Sequence, residues 1–320
     1  MTTTKPQRIV VAINPSASYG MGSFFGRGRP VGPVVVDELR REGHDVVSLT
    51  RETQADLLRA TGAELDAGAD ALVVVGGDGM VSLGTGLVAA TSIPLGIVPA
   101  GTGNDMARAL GIRHDDPLAA LRQLVTALEV EPRLIDVIRV TGGDRATTWV
   151  AGSVSAGFDA FVNERANRMR HPRGRARYDV ALALELLRLG QVDYEIVLDG
   201  VPSVVAGTLV SVGNAGTVGG GIALMPGAVL DDGLLEVLVV DRLSRFEFLR
   251  LFPRVAKGRH LDDPRVNVHR VRRASLSAPG VIAYGDGERL GPLPIEIEVV
   301  PGALRVLAPA AATGRRASEV

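Results

Sequence analysis

Two glycine turns carry the chemistry legible in the first third of the chain. In Ala71-Leu72-Val73-Val74-Val75-Gly76-Gly77-Asp78-Gly79 an apolar, β-branched run ends in a glycine turn, and a helical pattern opens near Met80. Glycine lets a backbone approach a phosphate closely, and a helix N-terminus offers unpaired N–H groups at the positive end of its dipole. Asp78 is out of place at a bare anion site, because its carboxylate repels phosphate unless Mg²⁺ stands between them. The combination points to a Mg–nucleotide complex. A tight β–α turn with an aspartate near the cap is the other reading. The spacing matches neither the dinucleotide fingerprint nor a P-loop.

The second turn follows Ile93-Pro94-Leu95-Gly96-Ile97-Val98-Pro99 and reads Ala100-Gly101-Thr102-Gly103-Asn104-Asp105, again before an apolar helical stretch. A third, Asn14-Pro15-Ser16, follows the first strand-like run. Turns at the carboxyl ends of parallel strands can share one ligand crevice. Three in one α/β unit favour a nucleotide site. The later acidic residues read less sharply. Asp231–Asp232 is consistent with a simple turn, Asp286-Gly287 with a hairpin turn, and Asp136 with a water-facing strand edge. The five histidines are scattered without ligand spacing and are given no role.

The elements that must hold these turns alternate. Apolar runs at 9–13, 46–49, 71–75 and 93–98 predict strands of a parallel sheet covered on both faces. Helical patterns at 34–42, 53–67, 80–90 and from Asp116-Pro117 through Leu128 lie between them. Beyond about residue 138 strand-like segments dominate. They are interrupted by helical patterns at 178–189 and 244–257, the latter opening on a Ser244/Glu247 capping box and carrying Pro253. Two domains are expected: an α/β unit over 1–138, joined by a strand near 303–307, and a mostly antiparallel β unit over 139–300. Each has its own sheet, the site lies in the cleft between them, and a flexible tail covers 309–320.

The composition, 46% hydrophobic and 22% charged over 320 residues, is that of a globular chain. A net charge of −1 gives no global field toward nucleic acid, and no nucleic-acid partner is expected. Absence of cysteine excludes disulfides, zinc–thiolate sites and thiol nucleophiles. No signal core opens the sequence, and no apolar run reaches the roughly 18 residues of a membrane span. A cytoplasmic location is the expectation, and a membrane-lipid substrate would require peripheral membrane contact.

Gly76-Gly77-Asp78-Gly79 together with Gly101-Thr102-Gly103-Asn104-Asp105 resembles the catalytic signature of the diacylglycerol kinase family. Asn14-Pro15, Gly219-Gly220-Gly221 with Pro226, Leu230-Asp231-Asp232-Gly233-Leu234-Leu235, and Asp286-Gly287-Glu288 fit the same family in the same order. The resemblance implies an N-terminal three-layer α/β domain, like that of NAD kinase and phosphofructokinase, followed by a C-terminal β-sandwich. It implies transfer of the γ-phosphate of ATP to a lipid hydroxyl, most simply that of diacylglycerol. A soluble-substrate kinase of the NAD kinase type and a nucleotide-binding regulatory module are the alternatives. Carried over by position, Asn14, Thr50, Gly76, Gly77, Asp78, Gly79, Met80, Val81, Ser82, Gly101, Thr102 and Asn104 would contact ATP. Asp78 would reach Mg²⁺ through water, Glu288 would act as general base, and Asp136 would hold the Mg–water network. Asp232, with the carbonyls of Val229 and Leu234, would bind a second, structural Mg²⁺. Two departures stand out: Met80 occupies the usual threonine position, and the turn from Ser16 to Pro30 is long. Relatives of this kind are often homodimers.

A membrane-resident acceptor requires the protein to reach a bilayer from the water side. Arg165, Arg168, Arg170, Arg173, Arg175 and Arg177 lie within 13 residues and form the densest basic segment. A solvated loop is the bland alternative. The segment 244–257, with phenylalanines and leucines among arginines, is the second candidate, unless it simply packs on its own sheet.

Overall fold

A computed structural model of the protein describes residues 6–15, 24–25, 29–169, 171–172 and 175–310. The described chain divides into two compact units, one within Met1–Leu134 and Leu304–Val320, the other Ile135–Ala303.

The first unit runs β1 (Arg8–Ile13), the short β2 (Phe24–Phe25) and β3 (Arg29–Pro30), α1 (Val31–Arg41), β4 (Asp45–Thr50), α2 (Gln54–Asp66), β5 (Ala71–Gly76), α3 (Asp78–Val88), β6 (Leu95–Pro99), α4 (Asp105–Ala109) and α5 (Pro117–Ala127). Its strands stand in the order β6-β5-β1-β4, all parallel. β5 is buried along its whole length, which is why its sequence is unbroken Val and Leu instead of alternating. Ile9, Val11, Val73 and Val75 face α1 and α5 through Val35, Leu39, Leu121 and Leu124. On the other face α3 lies so close that a Cβ on Gly84 would come within 2.6 Å of Leu95 and 3.0 Å of Val74. These are the three expected layers. Caps are where the sequence places them: Thr53 accepts from Asp56 N–H at the start of α2, and Asp116 accepts from Leu118 and Ala119 N–H ahead of Pro117.

The second unit holds β7 (Arg133–Gly142), β8 (Arg145–Val150), β9 (Ser153–Gly157), α6 (Phe158–Arg168), α7 (Arg175–Leu187), β10 (Val192–Leu198), β11 (Val201–Gly213), β12 (Leu235–Asp241), α8 (Arg245–Val255), β13 (Val266–Val271), β14 (Arg273–Ser277), β15 (Ile282–Gly285), β16 (Glu288–Pro292) and β17 (Ile295–Leu307). The ladders within it are antiparallel. Tyr194, Ile196, Val210, Val212, Val237, Leu276 and Ala283 form its core. α8 starts on the expected capping box at Ser244 and Glu247, with Pro253 inside the helix.

Two expectations need correction. Separate sheets were expected, but β17 belongs to one hydrogen-bonded sheet of 15 strands that contains strands of both units. That strand pairs with β14 over Ile295–Glu298 and with Leu95–Gly96 of β6 at Val306–Leu307. With 13 residues it is long enough to serve a ladder at each end. The basic segment 165–177 is not a loop throughout: Arg165 and Arg168 end α6, and α7 begins at Arg175. Residues 170, 173 and 174 of that segment, residues 16–23 and 26–28 of the long turn and the tail beyond residue 310 lie outside the described residues.

Candidate active site

In the first unit, parallel pairing puts four strand ends side by side. Thr50 closes β4 opposite Ile13 of β1, Asn14 follows β1, Gly76 closes β5 and Pro99 closes β6. The turns at Asn14, Gly76–Asp78 and Gly101–Asn104 are therefore neighbours at the carboxyl edge of one sheet. The backbone ties them further: Asn14 N–H donates to the Val75 carbonyl, and Ala100 N–H to that of Gly76.

The two glycine turns touch. A Cβ on Gly101 would lie 2.4 Å from the Gly77 Cα, and one on Gly77 would lie 3.1 Å from the Gly101 Cα. No side chain fits between them. Asp78 fastens the pair, its Oδ2 accepting from Asn104 N–H at 2.8 Å and its Oδ1 from Asp105 N–H at 2.7 Å. Gly103 leaves room for this carboxylate, since a Cβ there would fall 2.3 Å from Oδ2. Burial, and then the like charge of Asp105, push the Asp78 carboxyl above its usual range. A cation arriving beside this pair would relieve that strain, so water-mediated Mg²⁺ contact fits the residues present.

Asn104 adopts a left-handed backbone (φ 57°) and is buried. Its amide donates to the carbonyls of Gly101 and His114 and accepts from Gly101 N–H. It shapes the turn with its whole side chain. Arg108 adds a bond from its guanidinium to the Gly103 carbonyl. Thr102 is exposed and Ser82 half-buried. Met80 and Val81 are buried, and both donate their N–H to the Gly77 carbonyl. The Met80 side chain packs under the turn, where a Cβ on Gly76 would meet its Cγ at 2.4 Å. Methionine in place of threonine thus fills the core below the turn. The N–H groups of Asp78 and Gly79, in the first helical turn, lie outside the helical ladder.

In the second unit Asp286 (φ 48°) and Gly287 (φ 81°) form the two-residue turn between β15 and β16, with Gly285 opposite Glu288. The Asp286 carboxylate accepts N–H groups from Ala151, Gly152 and Ser153 at 2.8–3.2 Å. It pins the hairpin to the β8–β9 connection. Glu288, first residue of β16, is exposed. A cavity of about 400 Å³ lies by α6 and α7, with Glu164 in its wall. Glu164 faces Arg289, which strand alternation puts on the opposite side of β16 from Glu288.

Asp136 has a different setting from the expected water-facing edge. It is buried on β7, its carboxylate accepting from Gly233 N–H at 2.6 Å and Gly302 N–H at 2.9 Å, while its own N–H donates to the Leu230 carbonyl. It holds the Asp231-Asp232-Gly233 turn against β17. Asp232 accepts from Leu234 N–H and pairs with Arg270, which β13 brings across from β12. Val229 is exposed. A structural Mg²⁺ held by Asp232 with the carbonyls of Val229 and Leu234 would have to displace the guanidinium of Arg270. Sequence reasoning placed Asp286 in a hairpin turn but missed its clasp on Ala151–Ser153, and missed Arg270 altogether, because these partners lie 133–135 and 38 residues away.

The chain thus joins a parallel three-layer unit with glycine turns at its strand ends to an antiparallel unit. The same architecture occurs in an NAD kinase from Archaeoglobus fulgidus solved in complex with ATP, with TM-score 0.53 at 14% identity over 94% of this chain and 93% of that one. A diacylglycerol kinase from Bacillus anthracis str. Sterne superposes with TM-score 0.67 at 21% identity over 95% and 98%. Residues 8–140 match the diacylglycerol kinase catalytic domain, and residues 152–308 the YegS C-terminal NAD kinase beta sandwich-like domain. A diacylglycerol kinase of Mycobacterium tuberculosis is 38% identical over 303 residues, 94% of this chain and 95% of its own. The chain belongs to the diacylglycerol kinase family of lipid kinases.

Proposed function

We propose that the protein transfers the γ-phosphate of ATP to the free hydroxyl of diacylglycerol, giving phosphatidic acid and ADP. The observation that carries the nucleotide half is the contact of Gly77 with Gly101 under the Asp78 clasp. It bares backbone where phosphate must come close. The name of the 38% identical relative supports the acceptor.

Glu288 takes the proton from the acceptor hydroxyl. The hydroxyl oxygen forms its bond to the γ-phosphorus as the bridging P–O bond to ADP breaks. The first unit's residues orient the nucleotide: Asp78 and Gly79 N–H groups face the phosphates, and Asn104 and Arg108 keep the second turn in shape. Mg²⁺, bound with ATP and met by Asp78 through water, would supply charge neutralisation. Phosphoryl transfer depends on such positioning and charge compensation more than on covalent chemistry.

The test offers γ-labelled ATP with Mg²⁺ to a panel of diacylglycerol, sphingoid base, ceramide, phosphatidylglycerol and NAD⁺. Label is expected in phosphatidic acid. Label in another lipid alone replaces the acceptor, label in NAD⁺ alone overturns the lipid reading, and no label anywhere favours a regulatory module.

A further inference from the structure

Three arginines of the basic segment expected to meet the membrane are engaged within the protein. Arg165 pairs with Glu185, Arg168 with Glu164, and Arg177 lies 5.6 Å from the Tyr178 ring. α8 is different. Its inner face is anchored: Leu251 is buried, and Phe248 packs on Phe158 at 4.4 Å between ring centroids. Its single acidic residue, Glu247, is spent on the Ser244 cap and on Arg265. The outer face presents Arg245, Phe246, Leu249, Arg250 and Pro253, with Lys257 just beyond the helix end, all exposed. The spacing 246-249-253 is one helical stripe, flanked by the cations. Phe246 is 74% and Leu249 57% exposed. Among the described residues no carboxylate pairs with Arg245, Arg250 or Lys257.

α7 extends the same cap. Ala181 is buried against α6 in the cluster that also receives Phe248. Leu184 and Leu187, one helical turn apart, point outward, Leu187 at 63% exposure.

We propose that the outer faces of α7 and α8 form the docking surface of this protein for anionic lipid bilayers, with Phe246 and Leu249 inserted among acyl chains and Arg245, Arg250 and Lys257 on the headgroups. An apolar stripe flanked by unpaired cations and lacking acids has the chemistry of a helix lying at the headgroup boundary. Its charge complements an anionic surface, and that complementarity selects a bilayer over a second copy of the chain, whose matching face is equally basic. The proposal rests on the lipid-kinase reading for the reason to visit a bilayer. The surface itself is built from residues that take no part in catalysis.

The experiment is co-sedimentation of the whole, nucleotide-free protein with phosphatidylcholine vesicles, with and without phosphatidylglycerol, over a salt series. Wild type should sediment with the anionic vesicles only, and release as salt rises, because such attraction decays over a Debye length of about 8 Å at physiological salt. Arg245→Gln, Arg250→Gln and Lys257→Gln should weaken partitioning about fivefold per cation removed. Phe246→Ser with Leu249→Ser, both at exposed positions, should keep the melting temperature and abolish sedimentation at moderate salt. Light scattering should show the same oligomeric state for this variant and wild type. Equal sedimentation of wild type and variants, no sedimentation of wild type, or an assembly that the serine variant dissolves would each overturn the proposal. Turnover of dispersed short-chain diacylglycerol is measured alongside. Vesicle binding without turnover would defeat the kinase reading and leave the surface standing, whereas turnover without binding would do the reverse.

Discussion

Asp78 and Asp286 do the same job in opposite halves of the chain, yet each leads into a different kind of element. Both end a strand's turn and both gather backbone N–H groups from a distant segment: Asp78 from Asn104 and Asp105, Asp286 from Ala151, Gly152 and Ser153. Asp136 makes a third such clasp. In the first unit the clasp closes two glycine turns and is succeeded by a helix N-terminus. In the second it fixes a hairpin whose next strand begins with an exposed carboxylate, Glu288. An acidic motif residue is thus either a fastener or a reagent, and its hydrogen-bond partners decide which. The first unit gathers N–H groups at its glycine turns, while the second sets an exposed carboxylate beside a clasped hairpin.

The largest expected effect belongs to the reagent. Glu288→Gln should lower kcat by about 10²–10⁴-fold, the usual worth of a general base. Nucleotide affinity and melting temperature should stay unchanged, because the side chain is exposed. A variant with wild-type kcat would remove Glu288 from the chemistry and leave both halves with fasteners only.

Alanine at one glycine in each turn sharpens the contrast. Gly101→Ala sets a Cβ against the Gly77 backbone, which no rotamer change can relieve, so nucleotide affinity should collapse and melting temperature should fall. A Cβ on Gly287 meets nothing within 4 Å, and its left-handed φ is the sole penalty, about 1 kcal/mol. Calorimetry with and without ATP reads both. Equal losses of nucleotide affinity would break the assignment of phosphate binding to the first unit.

The fasteners themselves should look alike in stability and unlike in kinetics. Asp78→Asn and Asp286→Asn each strand a buried N–H, at a cost of about 1–3 kcal/mol. Steady-state kinetics should then show the KM for ATP raised in the first and kcat alone lowered in the second. If both move the same constant, the two clasps serve one function.

Chelation tests the turn at Asp232. Arg270 already sits on that carboxylate, so EDTA should leave the melting temperature of nucleotide-free protein unchanged. A rise on adding Mg²⁺ that Asp232→Ala abolishes would show that the ion displaces the guanidinium.

The smallest effect concerns pH. Burial pushes the Asp159 carboxyl, at the start of α6, up to about 6, against the help of Ser155. A raised carboxyl pKa favours the protonated folded state, so its stabilising share is complete below the unfolded value of about 4 and is lost as pH climbs through about 6. Asp159→Asn should therefore gain melting temperature relative to wild type as pH rises from 4 to 7. A difference in melting temperature that does not vary with pH would show that Asp159 is solvated.

Pattern alone determined the elements that are either wholly buried or amphipathic. β5, α2, α5 and the Ser244 cap of α8 are legible because burial and capping are local demands, met by neighbouring residues. The glycine turns were legible for the same reason: close approach leaves only one residue type. The sequence by itself also suffices for the family, since these short motifs keep their order along the chain. Tertiary structure alone decided what each acid does. Whether a carboxylate binds backbone, an arginine or nothing depends on segments up to 166 residues away, as with Asp136 and Gly302, and on no nearby residue. It likewise put Arg165 and Arg168 at the end of α6 in ion pairs and left cations of α8 without a carboxylate partner among the described residues. Charge is written in the sequence, but its partner is chosen by packing.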